Sequence, residues 1–195
     1  MISRKKFSQD TVRILKNGGV GVMPTDTIYG IVGSAFHRKA VERLYRVRHR
    51  DIKKPLIVLI GSLADLERFG VHYDAGFLGS VWPGPASVIL RCPLKKFSYL
   101  HRGTKTIAFR LPDSEILRSF LRKTGPLAAP SANTEGDPPA ITIRQAQKYF
   151  GDKVDFYVDG GMRRGKPSTL ISINRGRINV LRRGSGKLSA MSFRP

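Results

Sequence analysis

The side chains best suited to chemistry in this chain fall in a few short polar stretches. Thr25, Asp26, Thr27 and Tyr29 come first. Arg46, Arg48, Arg50, Lys53 and Lys54 then form a cationic run that leads into the apolar Leu56-Ile57-Val58-Leu59-Ile60. Thr106 and Arg110 stand four apart in a strand-like segment, so both point to one face of it. Ser131 and Asn133 begin a Gly/Pro-rich loop, Ser168-Thr169 opens a late apolar run, and Arg182-Arg183 closes the last one. Each alone has an ordinary explanation, because turns favour Ser, Thr and Asn and charge runs are commonly solvated faces. Together they supply what a triphosphate and a small polar carboxylate require. Arginine offers paired donors to carboxylate and phosphate, while hydroxyls and Asn offer neutral hydrogen bonds to a sugar, hydroxyl or amine.

Other chemistries lack their parts. There is no GxxxxGK[ST] phosphate loop, no GxGxxG after a strand and no Gly-x-Ser-x-Gly elbow. His37, His49, His72 and His101 are scattered without metal-ligand spacing. The single cysteine, Cys92, lies in a strand-like segment and reads as a buried structural thiol. Acidic residues are too sparse for a dedicated metal cage, so no protein-ligated metal is expected. Any Mg²⁺ would arrive with substrate phosphates.

The whole-chain totals set the frame. One domain is the default for 195 residues, and an apolar fraction of 41% is enough for a core. The formal charge of +21 calls for an anionic partner such as nucleotide phosphate or RNA. One cysteine allows no internal disulfide and fits a reducing, cytoplasmic setting. No signal-peptide pattern and no 18-residue apolar run occur, so no membrane span is expected. The last 36 residues hold nine Lys or Arg and no acid. A globular domain over 1–185 and a loosely held basic tail over 186–195 follow.

The elements that must position these residues read as follows. Ser8 to Asn17 is an amphipathic helix stopped by Gly18-Gly19. Val20 to Met23 is a buried strand running into the hydroxyl-rich turn 24–30. Arg38 to Arg48 is a helix with Val41, Leu44 and Tyr45 as its stripe. Leu56 to Ile60 is a fully buried strand. Helices follow over Ser62–Phe69 and Asp74–Val81, a break at Trp82-Pro83-Gly84-Pro85, and strands at Ala86–Leu90 and Thr106–Leu111. The segment between those strands reads as a basic loop carrying Arg91, Lys95, Lys96, Arg102 and Lys105. Ser114–Lys123 and Thr142–Phe150 are helices. Pro126–Ala129, Val154–Val158, Thr169–Ile173 and Ile178–Leu181 are strands. About eight strands alternate with five or six helices, which predicts an α/β fold with a mixed sheet, partly antiparallel near its end.

At these residues a family pattern becomes specific. Pro24-Thr25-Asp26-Thr27-Ile28-Tyr29-Gly30, Arg48 with Lys53-Lys54-Pro55-Leu56, Trp82-Pro83-Gly84-Pro85, Thr106 to Arg110, Ala129-Pro130-Ser131-Ala132-Asn133 and Pro167-Ser168-Thr169-Leu170 occur in the order seen in the YrdC-like family. The chain resembles the short form of its threonylcarbamoyl-AMP synthases over roughly residues 8 to 184. The resemblance implies a single-domain twisted mixed sheet with flanking helices and a basic concave face. It implies condensation of L-threonine, bicarbonate and ATP into L-threonylcarbamoyladenylate and pyrophosphate. The product would feed the t6A modification of tRNA at position 37 through downstream transfer machinery.

By position in the family motifs, Thr25, Arg110 and Ser168 would bind threonine. Arg48 and Lys54 would hold ATP phosphates, with Thr106, Ser131, Asn133 and Arg182 also at the nucleotide. Arg46, Arg48, Lys54, Ser131 and Asn133 would form the catalytic group. Three departures stand out. Arg46 replaces the family's usual Lys, the segment from Arg48 to Pro55 is longer, which leaves Lys53 and Lys54 as rivals, and Leu59 stands where some members have His. An RNA-binding relative of the same fold, contacting tRNA, rRNA or double-stranded RNA without synthase activity, is the competing reading. A maturation factor of shared fold is disfavoured because its zinc-finger cysteine pairs are missing.

Overall fold

The computed structural model describes residues 2–4, 7–174 and 177–186. In chain order the elements are β1 (Ile2–Arg4), α1 (Gln9–Lys16), β2 (Val20–Pro24), β3 (Tyr29–Ser34), α2 (Arg38–Val47), β4 (Ile57–Leu59), α3 (Ala64–Arg68), α4 (Ala75–Val81), β5 (Ala86–Arg91), α5 (Ser98–His101), β6 (Thr106–Arg110), α6 (Glu115–Thr124), β7 (Leu127–Ala128), α7 (Ile143–Phe150), β8 (Phe156–Val158), β9 (Thr169–Asn174) and β10 (Arg177–Arg182). The expected basic tail lies, apart from Gly186, outside the described residues.

Local chemistry sets the helix starts. Ser8 accepts from the Thr11 amide while Thr11 Oγ1 accepts from the Ser8 amide, a reciprocal cap on α1. Asp74, Ser114 and Thr142 cap α4, α6 and α7 in the simpler one-bond way. Gly18, at φ +82°, lets the chain leave α1 in a left-handed turn that a β-carbon would resist.

All ten strands join one mixed sheet in the order β1-β8-β2-β3-β7-β4-β6-β5-β9-β10. The pairs β1/β8, β2/β8, β4/β6 and β5/β9 are parallel, and the other five are antiparallel. Alternation divides the core in two. Val20, Val22, Tyr29, Ile31, Val58, Ile107 and Phe109 pack on one face with α2 and α7. Met23, Val32, Leu59, Leu127 and Ala129 pack on the other with Val12 and Leu15 of α1 and Leu117, Phe120 and Leu121 of α6. Burial on both faces explains why these strands read as continuous apolar runs.

Two strands and one helix go beyond the sequence reading. Tyr29 to Ser34 is a strand, pairing antiparallel with β2 from Pro24↔Tyr29 to Val20↔Gly33. Its two glycines and small residues weaken any local strand signal, and it exists because β2 and β7 flank it. Among the described residues, β1 pairs with β8. Within the expected basic loop, Phe97, Tyr99 and Leu100 are buried around α5. A four-residue helix is formed by that packing rather than by propensity.

Candidate functional site

Paired residues on neighbouring strands share a face, and this fixes where the polar groups go. Leu59 pairs with Arg110, Ala108 with Ile89, and Ser87 with Leu170. Arg110, Ala108, Ile57, Ser87 and Ser168 therefore lie on the face that α1 and α6 cover only in part. There they line or border a cavity of about 60 Å³ whose walls are Thr25, Thr27, Ile28, Tyr29, Ile57, Arg110, Ala129, Ser131, Pro167, Ser168 and Arg182. Seven residues singled out from sequence thus converge: Thr25, Thr27, Tyr29, Arg110, Ser131, Ser168 and Arg182.

The β2–β3 loop supplies Thr25. Its hydroxyl donates to the Ile28 carbonyl at 2.7 Å and accepts from the amides of Thr27 and Ile28 at 3.2 and 3.3 Å. The side chain closes its own turn and sits 3.5 Å from Arg110 Nη2. Gly165 packs so closely under this loop that a β-carbon there would stand 2.6 Å from the Thr27 carbonyl oxygen. Opposite, Ser168 shares a 2.8 Å hydrogen bond with Ser87, and Arg182 donates to the Ser168 carbonyl at 3.0 Å.

Arg110 ends β6 as a buried cation. Its Nη2 lies 3.1 Å from Asp26 Oδ1, with side-chain exposures of 5% and 3%. Burial pushes its pKa down, Asp26 opposes that shift, and the charge of Arg182 adds to it. Arg182 is itself pushed down by burial and then by Arg50.

A second cation, Arg48, joins the cavity wall to the cationic run. It caps the C-terminus of α2 and is 3% exposed. Nε donates to the Asn133 carbonyl at 2.9 Å, and Nη2 donates to Asn133 Oδ1 at 3.2 Å and Ser131 Oγ at 3.3 Å. Burial lowers its pKa to about 10, helped by the charge of Arg50 and opposed by Glu135. Its Nη1 is buried without a partner among the described residues. The backbone continues the strap, since the Glu135 amide donates to the Arg48 carbonyl at 2.8 Å. Glu135 accepts from Lys54 Nζ at 2.7 Å and from the Asp51 amide at 2.6 Å. These contacts hold its carboxyl at a pKa of about 2, the Lys54 hydrogen bond contributing most.

Both rival lysines are exposed, and Lys54 is the one that pairs with Glu135 of the 131–135 loop. Asn133 is buried and its side-chain amide is spent on the carbonyls of Thr134 and Asp137. Arg46 is exposed on α2. Thr106 shares the face of Arg110 but lies roughly 13 Å away along β6. It pairs with Arg91, bonds to Thr104 Oγ1 at 3.1 Å and stands outside the cavity wall. Asp26 and Arg50 stand in the polar stretches that the sequence marks but carried no specific role there; nothing local marked Ser87 or Glu135. Among the described residues, no three His, Cys, Asp or Glu side chains gather to hold a metal ion.

Buried guanidinium groups, hydroxyls and a strapped cationic loop on one face of a mixed sheet define the class of site this fold presents. The particular family follows from comparison. The Sua5/YciO/YrdC family model, described as "Telomere recombination", matches residues 13–184, and the chain belongs to that family. A threonylcarbamoyl-AMP synthase of Coxiella burnetii is 30% identical over 155 residues, covering 77% of this chain and 83% of its own. Pyrococcus abyssi Sua5 complexed with L-threonine superposes with a TM-score of 0.81 at 28% identity. That alignment covers 94% of this chain but 57% of the Sua5 chain. Escherichia coli YciO superposes with a TM-score of 0.80 at 25% identity, covering 95% of both chains. Among the described residues, no helix is long and apolar enough to cross a membrane.

Proposed function

We propose that this chain is a threonylcarbamoyl-AMP synthase acting in the cytoplasm on L-threonine, bicarbonate and ATP. The observation that carries the reading is the buried Arg110 beside Thr25 and Ser168, joined through Ser131 to Arg48 and the cationic loop. The small cavity takes threonine, with its carboxylate on Arg110. The strapped loop takes the nucleotide, with Arg48, Lys54, Ser131 and Asn133 toward the phosphates and Arg182 closing over it. Magnesium enters as Mg·ATP.

The chemistry suits such a site. The threonine amine adds to bicarbonate with loss of water to give a carbamate. A carbamate oxygen then attacks the α-phosphorus, and the bond to pyrophosphate breaks. The nucleophile belongs to the substrate, so the protein needs to orient three reactants and neutralise charge. Arg48 and Lys54 are already held by the 131–135 loop, so the phosphates meet preorganised donors. The product is an activated carbamoyl group that must be consumed by a transfer reaction onto tRNA, giving t6A.

RNA contact through the exposed basic surface is a separate part of the proposal, supported by the +21 charge. Lys95 and Lys96 are exposed, whereas Arg102 is occupied by Glu42 and stacks on Tyr45. The test of the synthase reading is pyrophosphate release with each substrate omitted in turn. Release should require ATP, threonine and bicarbonate together. Release that persists without threonine refutes it and leaves the RNA-binding relative as the better account.

A further inference from the structure

Among the described residues, Asp26 is the carboxylate paired with the buried Arg110, and its second oxygen reaches the segment just after it. Its Oδ1 forms the 3.1 Å ion pair with Arg110. Its Oδ2 accepts from the Asp113 amide at 3.4 Å, in the connection between β6 and α6. The β2–β3 loop is thereby tied to the end of β6. The ion pair lacks hydrogen-bond alignment, and Nε of Arg110 is buried with no hydrogen-bond partner among the described residues. The guanidinium is thus fixed by charge while part of its donor fork stays free for a ligand.

The local charge count points the same way. Among the residues lining the cavity, Arg110 and Arg182 are the cations, and Asp26 pairs with the first of them. One positive charge remains uncompensated at the cavity, which matches a ligand bearing a single carboxylate. Without Asp26, two guanidinium charges would share the desolvated site, and Arg110 would be free to turn toward other acceptors.

Resting on the synthase reading above, we propose that Asp26 is a positioning residue for the amino-acid subsite. It holds Arg110 in the orientation that receives the substrate carboxylate, without touching substrate itself.

The experiment uses the full chain with Asp26→Asn, Asp26→Glu, Arg110→Ala and the Asp26→Asn/Arg110→Ala double variant. Threonine and ATP are titrated separately in the pyrophosphate assay, and threonine binding is measured by calorimetry. Asp26→Asn should raise the threonine KM by about tenfold or more, leaving the ATP KM and kcat close to wild type. Asp26→Glu, which keeps the charge, should fall between the two and carries the test if the Asn variant melts below assay temperature. In the Arg110→Ala background, Asp26→Asn should add nothing, because there is no guanidinium left to position. A threonine KM unchanged by Asp26→Asn, equal losses for threonine and ATP, or additive effects in the double variant each overturn the proposal. Failure of the wild-type protein to bind threonine would instead remove the synthase reading, and this proposal with it.

Discussion

Replacing Arg48 with Lys should slow the reaction by separating charge from geometry. Arg48 makes three hydrogen bonds through two nitrogens, two to Asn133 and one to Ser131. A lysine ammonium keeps the charge but cannot span the carbonyl and the side-chain oxygen of Asn133 together. It retains one of the three contacts at best. Hydrogen bonds from a charged donor contribute about 1.5–3 kcal/mol each, and coupled bonds add less than their sum. A net loss of about 3 kcal/mol follows, equivalent to roughly 10²-fold in kcat/KM for ATP. The threonine KM should move much less, because Arg110, Thr25 and Ser168 are untouched. Initial-rate pyrophosphate release under varied ATP measures the effect, and a thermal melt confirms that the variant is folded. A folded Arg48→Lys protein within twofold of wild type would refute the idea that the fork between α2 and the 131–135 loop organises the nucleotide site.

Other outcomes follow from the same geometry. Arg46 is exposed on α2, so if it only supplies charge, Arg46→Lys should change activity by less than about tenfold, or about 1.4 kcal/mol. A rescue of about a hundredfold would mean that the site needs a compact ammonium there. Gly165→Ala should push the segment before Pro167 away from the Thr27 carbonyl, costing about 1–3 kcal/mol. The assay should show it as a raised threonine KM with an unchanged ATP KM. At the acid end, the Glu135 carboxylate adds stability above the usual Glu range, which is lost as pH falls through about 2. Glu135→Gln should flatten that part of the stability profile.

The sequence by itself determined much that depends on near neighbours. Caps at Ser8, Ser114 and Thr142, the stripe Val41-Leu44-Tyr45 and the buried run at Leu56–Ile60 were all legible, because helix and strand periodicities act within a few residues. The polar residues of the site were legible as types, since Thr25, Arg110, Ser131, Ser168 and Arg182 each stand at an element end. What those residues touch was not. Arg110 meets Asp26 across 84 positions, and Arg48 meets Asn133 across 85. Nothing in either local stretch marks its partner. Those meetings are decided by the strand order β2-β3-β7-β4-β6, which includes β3, a glycine-containing strand that local propensity does not announce. Arg102 shows the same limit from the other side. It reads as one more cation of a basic loop, and packing turns it into the partner of Glu42 and Tyr45. Composition fixed how many cations the chain carries. Only the sheet decided which ones are buried, paired and desolvated, because those states depend on contacts between segments far apart in the chain.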